Sequence, residues 1–432
     1  MSKEKSRAVA RLFALWQDEK TEGGIGMQMV LELLTAALFL LALALALGRL
    51  SGRLPAAPAP LQPPDRRAER AVFLAALVLG GGMAAAVVLR AVLLFPGAGA
   101  FETYFEGGLL DARHYRDLAR WGYGRGEDFF EQQLMIVFFP LFPWLMRAVC
   151  AVGLPFYPAA MAVNLFLFAA GAALTFRITA RRWGTRCGLF AAAFAGLMPG
   201  SFFFVLPLTE ALFFFLSAAF FDAVERRRWT LAALAGIALG LTRLPGVTLA
   251  ALPAAVFLGG LCRRQWRWGP LAAAAGPAVG VAGYLALNAA VTGDPLAFLE
   301  IQRTHWHNRP GLFWRTAGAM WRQFCNWWES ERALAVFVGL WSALALIGVL
   351  ALLAAAARRL PAGWTAAALA CFAAVSASSW TPSAGRYLLC LPALGPALAL
   401  AAEGWRRRLL LALTALAGMV YFAAFLTGAP VF

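Results

Sequence analysis

The sequence predicts an all-α polytopic membrane protein, and three observations carry that prediction. Of the 432 residues, 61% are apolar and only 14% are charged, whereas an ordinary soluble domain carries about 25% charged residues. The mean hydropathy is +0.69. The apolar residues also fall into blocks of about 17–25, the length that a helix needs to cross a bilayer. This pattern excludes a soluble enzyme, a disordered chain and a disulfide-stapled secreted domain, and an outer-membrane barrel would show short alternating segments instead.

The apolar blocks predict about eleven to twelve transmembrane helices in a single integral membrane domain over residues 1–432. Short arginine clusters separate many of the blocks. Two polar stretches, 96–133 and 292–332, are too long to be simple turns. The blocks run over 27–47, 71–95, 134–153, 156–177, 186–206, 207–224, 229–242, 245–261, 268–291, 333–357, 362–380, 386–402 and 409–428.

The basic residues decide topology and do not indicate nucleic-acid binding. The net charge is +16, but the arginines punctuate the apolar blocks and form no single patch. They are typical of topology determinants and of anchors for anionic membrane lipids. The six cysteines contain no Cys-x-x-Cys pair, so they indicate neither a zinc site nor a disulfide framework.

Six arginine clusters predict which loops face the cytoplasm, because cytoplasmic loops are enriched in basic residues. They begin at Arg49, Arg177, Arg226, Arg263, Arg358 and Arg406. If all six clusters are cytoplasmic, the chain must cross the membrane an odd number of times between the outer stretch 96–133 and the cluster at Arg177. Two apolar blocks lie between them, 134–153 and 156–177, so one of the two does not cross. We expect 134–153 not to cross, because Pro140 and Pro143 interrupt its start and Arg147 lies in its middle. We interpret it as a re-entrant or interface-lying helix, backed by protein.

The remaining organisation follows from this assignment. Residues 48–70 form a cytoplasmic Pro/Arg linker, 96–155 an outer loop that contains the re-entrant helix, and 292–332 an outer Trp-rich loop. The polar N-terminal segment 1–26 breaks the pattern, because it is basic and lies outside if 27–47 crosses. Three explanations stay open. The segment is a weak exception to the positive-inside rule, the block 27–47 does not fully cross the membrane, or translation begins at Met27 or Met29.

The segment that begins at Asp111 carries the most informative chemistry. Asp111, His114 and Tyr115 follow at i, i+3 and i+4, so they share one face of a helix, and Gly122 supplies a helix stop. A carboxylate and an imidazole at the outer membrane surface can activate a hydroxyl group. The alternative is a solvated amphipathic helix at the interface, with intrahelical pairs such as Arg113–Asp117.

Three further charged residues stand in apolar surroundings. Glu210 lies in a Phe-rich block, where a charge costs about 2.5–3.5 kcal/mol near the bilayer centre and usually faces a polar cavity. Its alternative role is to start a helix beside Pro207 and Thr209. Arg243 and Arg386 stand alone at the outer side, against the positive-inside trend, which fits binding of an anion such as a phosphate. Snorkelling to lipid headgroups explains lone arginines equally well.

The outer loop 292–332 is rich in aromatic residues. Tryptophan at this density is typical of a loop that lies on the membrane interface, and stacking on a sugar or a prenyl chain is the alternative. His305 and His307 are too sparse to indicate a metal site. The tryptophans are Trp306, Trp314, Trp321, Trp327 and Trp328.

An ordered series of short motifs over about residues 71–400 resembles the PIG-V type of GPI mannosyltransferase, a family with the GT-C glycosyltransferase fold. Six motifs of the family have counterparts here in the same order, and two further segments match it in character and order. The six are Trp-Asp, Tyr, Ala-x-x-Gly-Tyr, Phe-Phe-Pro-Leu-Tyr-Pro, Ser-Glu-Ser-Leu and Arg-Ser-Asn-Gly. Leu110 replaces the family's Trp, and Leu244-Pro245 replaces its Ser-Asn. The counterparts are Leu110-Asp111, Tyr115, Ala119-Arg-Trp-Gly-Tyr123, Phe138-Phe-Pro-Leu-Phe-Pro143, Thr209-Glu210-Ala211-Leu212, Arg243-Leu-Pro-Gly246, Gly293-Asp-Pro-Leu-Ala-Phe298 and Arg386-Tyr387.

The resemblance implies an inverting mannosyltransferase with a polyprenyl-phosphate sugar donor and a lipid or glycan acceptor. The first outer loop would be the catalytic loop, with Asp111 as general base. His114, Tyr115 and Glu210 would shape the sugar pocket. Arg243 and Arg386, with Tyr387 beside them, would neutralise the leaving lipid phosphate, where charge develops in the transition state.

Several points stay open on the sequence alone. Arginines at the phosphate would make a metal unnecessary, and a divalent cation held by Asp111 and Glu210 is the alternative. The competing functions are a lipid-linked sugar flippase or transporter and a non-catalytic subunit of a glycosylation complex. The Ala/Arg/Leu-rich composition predicts a bacterial or archaeal plasma membrane protein, with its site on the extracytoplasmic side.

Overall fold

A computed structural model describes residues 25–54, 63, 65–97, 99–107, 111–124, 135–306, 308–378 and 383–431. Several predicted features lie outside these residues, namely most of the N-terminal segment 1–26, the proline-rich part of the linker 48–70, Leu110 and His307. The outer loop 96–155 is described except at 98, 108–110 and 125–134. The described residues form helices and no strand, which confirms the all-α prediction.

Eighteen helical segments (α1–α18) organise the described residues. Short 3-10 helices lie at Met135–Val137, Ser201–Val205, Leu244–Ala250 and Phe313–Arg315, and α14 contains a π-helical stretch over Ala335–Leu340. The segments are α1 Ile25–Leu50, α2 Arg66–Leu94, α3 Ala100–Glu106, α4 Ala112–Trp121, α5 Leu141–Cys150, α6 Phe156–Trp183, α7 Thr185–Leu197, α8 Glu210–Glu225, α9 Trp229–Gly240, α10 Ala251–Cys262, α11 Trp268–Thr292, α12 Ala297–His305, α13 Thr316–Trp327, α14 Arg332–Ala356, α15 Ala362–Ser376, α16 Ala384–Leu389, α17 Leu394–Ala401 and α18 Gly404–Thr427.

Seven of these helical segments are long and apolar enough to cross a membrane, and they define a polytopic membrane protein. They are α1, α2, α6, the continuous segment Leu244–Cys262 that includes α10, α11, α14 and α18. Other apolar blocks are shorter helices than the sequence suggests. The block 186–206 ends as a helix at Leu197, because Pro199 and Gly200 follow and Gly200 takes a φ of 88°. The count of eleven to twelve crossings therefore stays a prediction.

All six arginine clusters meet at one end of the helix bundle, called here the basic end. Arg177 pairs with Glu69, and Arg182 pairs with Glu225, beside the third cluster. Arg49 donates to the carbonyl oxygen of Leu360 at 2.5 Å. The remaining contacts are Arg359 with Glu403 at 2.7 Å, Arg407 with Cys187, and α10 against the end of α1. This convergence is what the positive-inside interpretation requires of loops on one side of a membrane.

The N-terminal helix α1 runs the whole length between the two ends of the bundle. Its Glu32 lies 4.0 Å from Arg315, which belongs to the 292–332 stretch, whereas Arg49 lies at the basic end. A helix of 26 residues is about 39 Å long at 1.5 Å per residue. This length is enough to cross a membrane, which disfavours the explanation that the block 27–47 does not fully cross.

Glycines bring α9 and α11 unusually close together. A Cβ added to Gly240 would lie 2.2 Å from the carbonyl oxygen of Pro277, and one added to Gly280 would lie 2.1 Å from that of Ile237. Small residues spaced by four let helix backbones approach in membranes, and Gly236 and Gly276 extend the contact by one turn. The contact fixes the end of α9, where Arg243 follows three residues later.

The segment 135–141, which contains Pro140, has irregular backbone that is satisfied by protein. The Tyr284 hydroxyl donates to the carbonyl oxygen of Ile136 at 2.7 Å, and the Tyr123 hydroxyl donates to that of Phe138 at 2.6 Å. The Leu141 amide donates to the Leu241 carbonyl at 3.0 Å. Helix α5, with ten residues, has about half the length of a membrane span. The re-entrant interpretation of 134–153 stays a prediction, and this bonding meets its physical requirement.

Cysteine labelling tests which side of the membrane each end faces. Arg227→Cys at the basic end should resist an impermeant maleimide in intact cells and react after permeabilisation. Arg303→Cys, which replaces an exposed arginine on α12, should react in intact cells. The positive-inside rule gives this direction, and labelling of both positions from outside would contradict a basic end in the cytoplasm.

Candidate active site

Glu210 lies at the centre of the site and is almost completely buried, with 1% of its surface exposed. It is the first residue of α8, directly after Thr209, the helix-start position that the sequence offered as the alternative to a polar-cavity role. The preceding turn is irregular, and the Asn164 side-chain amide holds it by donating to the carbonyl oxygens of Leu206 and, at 2.8 Å, Leu208. Asn164 is fully buried on α6. It therefore fixes where α8 begins and where the carboxylate lies.

Arg243 binds Glu210 from the end of α9. Its Nη2 donates to Glu210 Oε1 in an ion pair, and its Nε donates to Thr209 Oγ1 at 2.7 Å. The guanidinium carbon lies 4.5 Å from the centre of the Tyr387 ring. Because Arg243 is 12% exposed, it is no snorkelling arginine: its charged head lies inside the protein, against a carboxylate and an aromatic face.

Arg386 joins the two carboxylates of the site. Its Nε lies 3.1 Å from Glu210 Oε1, an ion pair without the alignment of a hydrogen bond, and its Nη2 lies 3.6 Å from Asp111 Oδ2. The guanidinium carbon stacks 5.2 Å from Tyr387 and 5.3 Å from Phe203. Its side chain is 3% exposed. The block 386–402 is therefore no straight span: α16 ends at Leu389, close before Pro392, and presents Arg386 to the interior.

Asp111 stands at the open side of this group. Its side chain is 35% exposed, in contrast to Glu210. Its carbonyl oxygen accepts a hydrogen bond from the Tyr115 amide at 3.2 Å, so Asp111 caps the start of α4, a boundary that the spacing does not predict. The predicted pair Arg113–Asp117 is present at 3.6 Å, and the helix stops at Gly122, whose φ is 77°.

Tyr115 and His114 line the same side of α4. Tyr115 is buried, and burial raises the pKa of its hydroxyl above the ordinary value, an effect to which the negative charge of Asp111 adds. Tyr115 therefore stays a neutral hydroxyl at physiological pH and is no base. The His114 ring stacks on Phe138 at 5.1 Å, and Tyr115 meets the same ring edge-on at 5.3 Å.

Arg147, which the sequence suggested as an obstacle to crossing, caps α4. Its Nε donates to the carbonyl oxygen of Ala119 at 2.9 Å, and its Nη2 donates to that of Arg120 at 3.1 Å. A cation is stabilising at a helix C-terminus because the last carbonyls lack partners. Arg147 thus docks α5 onto α4 and orients the helix that carries Asp111. In the sequence, only the position of Arg147 inside the apolar block 134–153 indicated that this residue has a role.

The buried group has more hydrogen-bond donors than the protein satisfies. Arg243 Nη1 and Arg386 Nη1 have no hydrogen-bond partner among the described residues, and neither has Glu210 Oε2. Buried polar atoms are almost always bonded, and guanidinium groups bind phosphate and carboxylate oxygens in a planar, two-point geometry. The arrangement can accept an oxyanion between the two arginines.

A divalent cation does not fit this arrangement. The described residues contain no group of three or more His, Cys, Asp or Glu side chains that could hold a metal ion. The two carboxylates suggested for that role are both paired with Arg386, whose positive charge opposes a cation between them.

The structure brings together six of the seven residues that the sequence selected. These are Asp111, Tyr115, Glu210, Arg243, Arg386 and Tyr387. His114 follows Asp111 on the same helix and stacks on Phe138. Comparisons of the chain with models of protein families, with curated proteins and with solved structures give no match. The geometry therefore carries the functional argument.

Asn164→Ala tests how the turn before Glu210 is held. The variant leaves the carbonyl oxygen of Leu208 without the amide donor and removes one of the two donors to that of Leu206, which keeps the Leu208 amide. An unsatisfied buried group costs about 1–3 kcal/mol, so the midpoint of thermal unfolding in detergent should fall by several degrees. Ser217→Ala is the matched control, because Ser217 is fully buried and its hydroxyl has no hydrogen-bond partner among the described residues. Equal midpoints for both variants would show that the amide does not hold the turn.

Proposed function

We propose that the protein is a membrane glycosyltransferase of the GT-C type, a mannosyltransferase that uses a polyprenyl-phosphate sugar donor and acts on a lipid or glycan acceptor. One observation carries the proposal. Two buried arginines share one buried carboxylate and retain free donors, directly beside a half-exposed second carboxylate. This is a phosphate-binding group next to a base, the combination that glycosyl transfer from a phosphate ester requires.

The two arginines would bind the phosphate of the donor. Arg243 and Arg386 each carry a positive charge, and Glu210 balances one of them inside the protein. The charge that builds up on the leaving phosphate would be stabilised by donors fixed in advance, which is where enzymes gain most in electrostatic catalysis. Stacking of both guanidinium groups on Tyr387 holds their planes in place.

Asp111 would act as the general base. The carboxylate accepts the proton of the acceptor hydroxyl while the hydroxyl oxygen forms a bond to the anomeric carbon. The bond between that carbon and the phosphate oxygen breaks, and its electron pair leaves with the lipid phosphate. Attack opposite the leaving group inverts the configuration. The greater exposure of Asp111 than of Glu210 leaves it accessible to an acceptor.

An apolar groove supports a lipid-linked donor. A cavity of about 330 Å³ lies between the π-helical part of α14 and α18. At its aromatic side, Trp341 stacks on Tyr421 at 4.9 Å, Tyr421 lies 6.1 Å from Phe202, and Phe202 lies 4.4 Å from Phe203, the ring beneath Arg386. A hydrocarbon chain suits such a lining, while the phosphate would lie at Arg386. The groove is lined by Val336, Phe337, Leu340, Trp341, Leu344, Leu413, Leu416, Ala417, Val420 and Tyr421.

The location of the site supports an extracytoplasmic reaction. Glu210 and Arg243 lie at the ends of α8 and α9 whose other termini adjoin the arginine cluster at Arg226, and Arg386 and Asp111 are linked to Glu210 at that same end. With the basic end in the cytoplasm, the site would face the outer side of the plasma membrane.

Incubation of the purified protein with radiolabelled polyprenyl-phosphate mannose and an alkyl mannoside tests the proposal. Covalent transfer of label to the glycoside supports the enzyme. Movement of the labelled donor across a proteoliposome membrane without transfer would instead make the protein a flippase. Neither transfer nor movement, with activity regained only when a partner enzyme is added, would make it a non-catalytic subunit.

Asp111→Asn should lower the transfer rate at least about a hundredfold, because general-base assistance contributes about 10²–10⁴-fold and an amide cannot accept the proton. The side chain keeps its size, so thermal stability should change little. Initial rates at saturating donor measure the effect. Asp117→Asn is the matched control on the same helix, where the carboxylate pairs with Arg113 and Arg116, and it should be mild. Near-normal transfer by Asp111→Asn together with loss in a folded Glu210→Gln would move the role of base to Glu210.

Arg243→Lys and Arg386→Lys should each raise the KM for the donor and lower kcat, because lysine keeps the charge and loses the planar two-point fork. We expect about a tenfold loss in kcat/KM for each variant, equivalent to about 1.4 kcal/mol. Arg303→Lys on the exposed α12 is the control. Wild-type turnover in both buried variants would show that the arginines hold the fold and do not contact the donor.

A further inference from the structure

The Trp-rich loop approaches the site through one residue, Trp306. Its ring meets Phe138 edge-on at 6.4 Å, and Phe138 also stacks on His114 at 5.1 Å. His114 lies one helical turn after Asp111 on α4. Contacts among these three rings therefore connect α4, which follows Asp111, with the outer loop. The proposed reaction assigns no role to Trp306.

The segment around Trp306 is held in place by several hydrogen bonds. The Asn308 amide donates to the Gln302 carbonyl at 2.9 Å, and the Asn308 side chain donates to Gln302 Oε1 at 3.2 Å. The Ser378 hydroxyl donates to Asn308 Oδ1, and the Gly311 amide donates to the Ala377 carbonyl at 3.0 Å. These bonds tie the loop to the end of α15. A ligand that binds there would not have to order the loop first, which favours affinity.

The surroundings of Trp306 distinguish a sugar from a prenyl chain. Trp306 is half-buried, and the polar side chains Arg303, His305, Asn308 and Arg309 surround it in sequence, three of them exposed. A prenyl chain needs a continuous apolar lining, which the groove along α14 and α18 offers and this loop does not. An aromatic face with a polar rim suits a ligand that has an apolar face and a rim of hydroxyls. A pyranose ring has that form.

We propose that Trp306 is the platform on which the sugar ring of the acceptor stacks, so that an acceptor hydroxyl reaches Asp111. The inference rests on the proposed function for the identity of the acceptor, but the binding of a glycoside is separate from transfer. Trp306 is a specificity-determining residue in this account, and the arginines beyond Asp111 receive the donor.

Binding of octyl α-mannoside to the full-length protein in detergent, measured by calorimetry without donor, tests the platform. Trp306→Leu should weaken binding about tenfold, and Trp306→Phe should restore part of it. In the transfer assay, Trp306→Leu should raise the KM for the mannoside by a similar factor, with kcat and the donor KM within twofold of wild type. Trp328→Leu is the matched control in the same loop, where the ring is 42% exposed, and it should bind as wild type.

The outcomes separate the platform from the proposed function. Wild-type affinity in a folded Trp306→Leu overturns the platform, and equal weakening in Trp306→Leu and Trp328→Leu assigns both residues to the membrane interface and overturns it too. Wild-type binding of the mannoside without any transfer defeats the enzyme proposal and leaves the platform in place. If Trp306→Leu does not fold, maleimide labelling of Arg309→Cys replaces it: octyl α-mannoside should slow the labelling, and an unchanged rate overturns the platform.

Discussion

A carboxylate buried among phenylalanines is the constraint on which the rest of the structure depends. Glu210 would cost several kcal/mol as an isolated charge in such surroundings, and the ion pairs with Arg243 and Arg386 offset that cost. The three residues come from separate helices. The fold must therefore bring the start of α8, the end of α9 and the short helix α16 to one point, and much of the packing around them serves that end.

The devices that achieve this convergence are short-range and concentrated where helices break. The buried amide of Asn164 holds the irregular turn before α8. Close glycine contacts set the end of α9 against α11 and deliver Arg243. Arg147 caps α4 and so orients Asp111. Asn164 and Arg147 donate to backbone carbonyls outside regular helical bonding, and irregular backbone inside a membrane needs such partners.

The two ends of the bundle use charge differently. At the basic end, Arg177 and Arg182 pair with acids while 28% and 18% of their side chains stay exposed. At the site end, the side chains of Arg243 and Arg386 are only 12% and 3% exposed. Buried donors without a partner among the described residues occur at both ends, since Arg181 Nε also lacks one. The deeper burial of its two guanidinium groups therefore separates the candidate active site from the ion pairs of the basic end.

The sequence by itself determined the membrane class, the common side of the arginine clusters, and the helical form of α4 with its stop at Gly122. Those features depend on hydropathy, charge and spacing within a few residues, which are local and additive. It could not determine that 186–206 breaks at Leu197, that Arg147 is a helix cap, or that Asn164 supports Glu210. Only the tertiary structure decided that Asp111, Glu210, Arg243 and Arg386 meet, because their approach depends on how closely helices far apart in the chain pack, and apolar periodicity does not encode that distance.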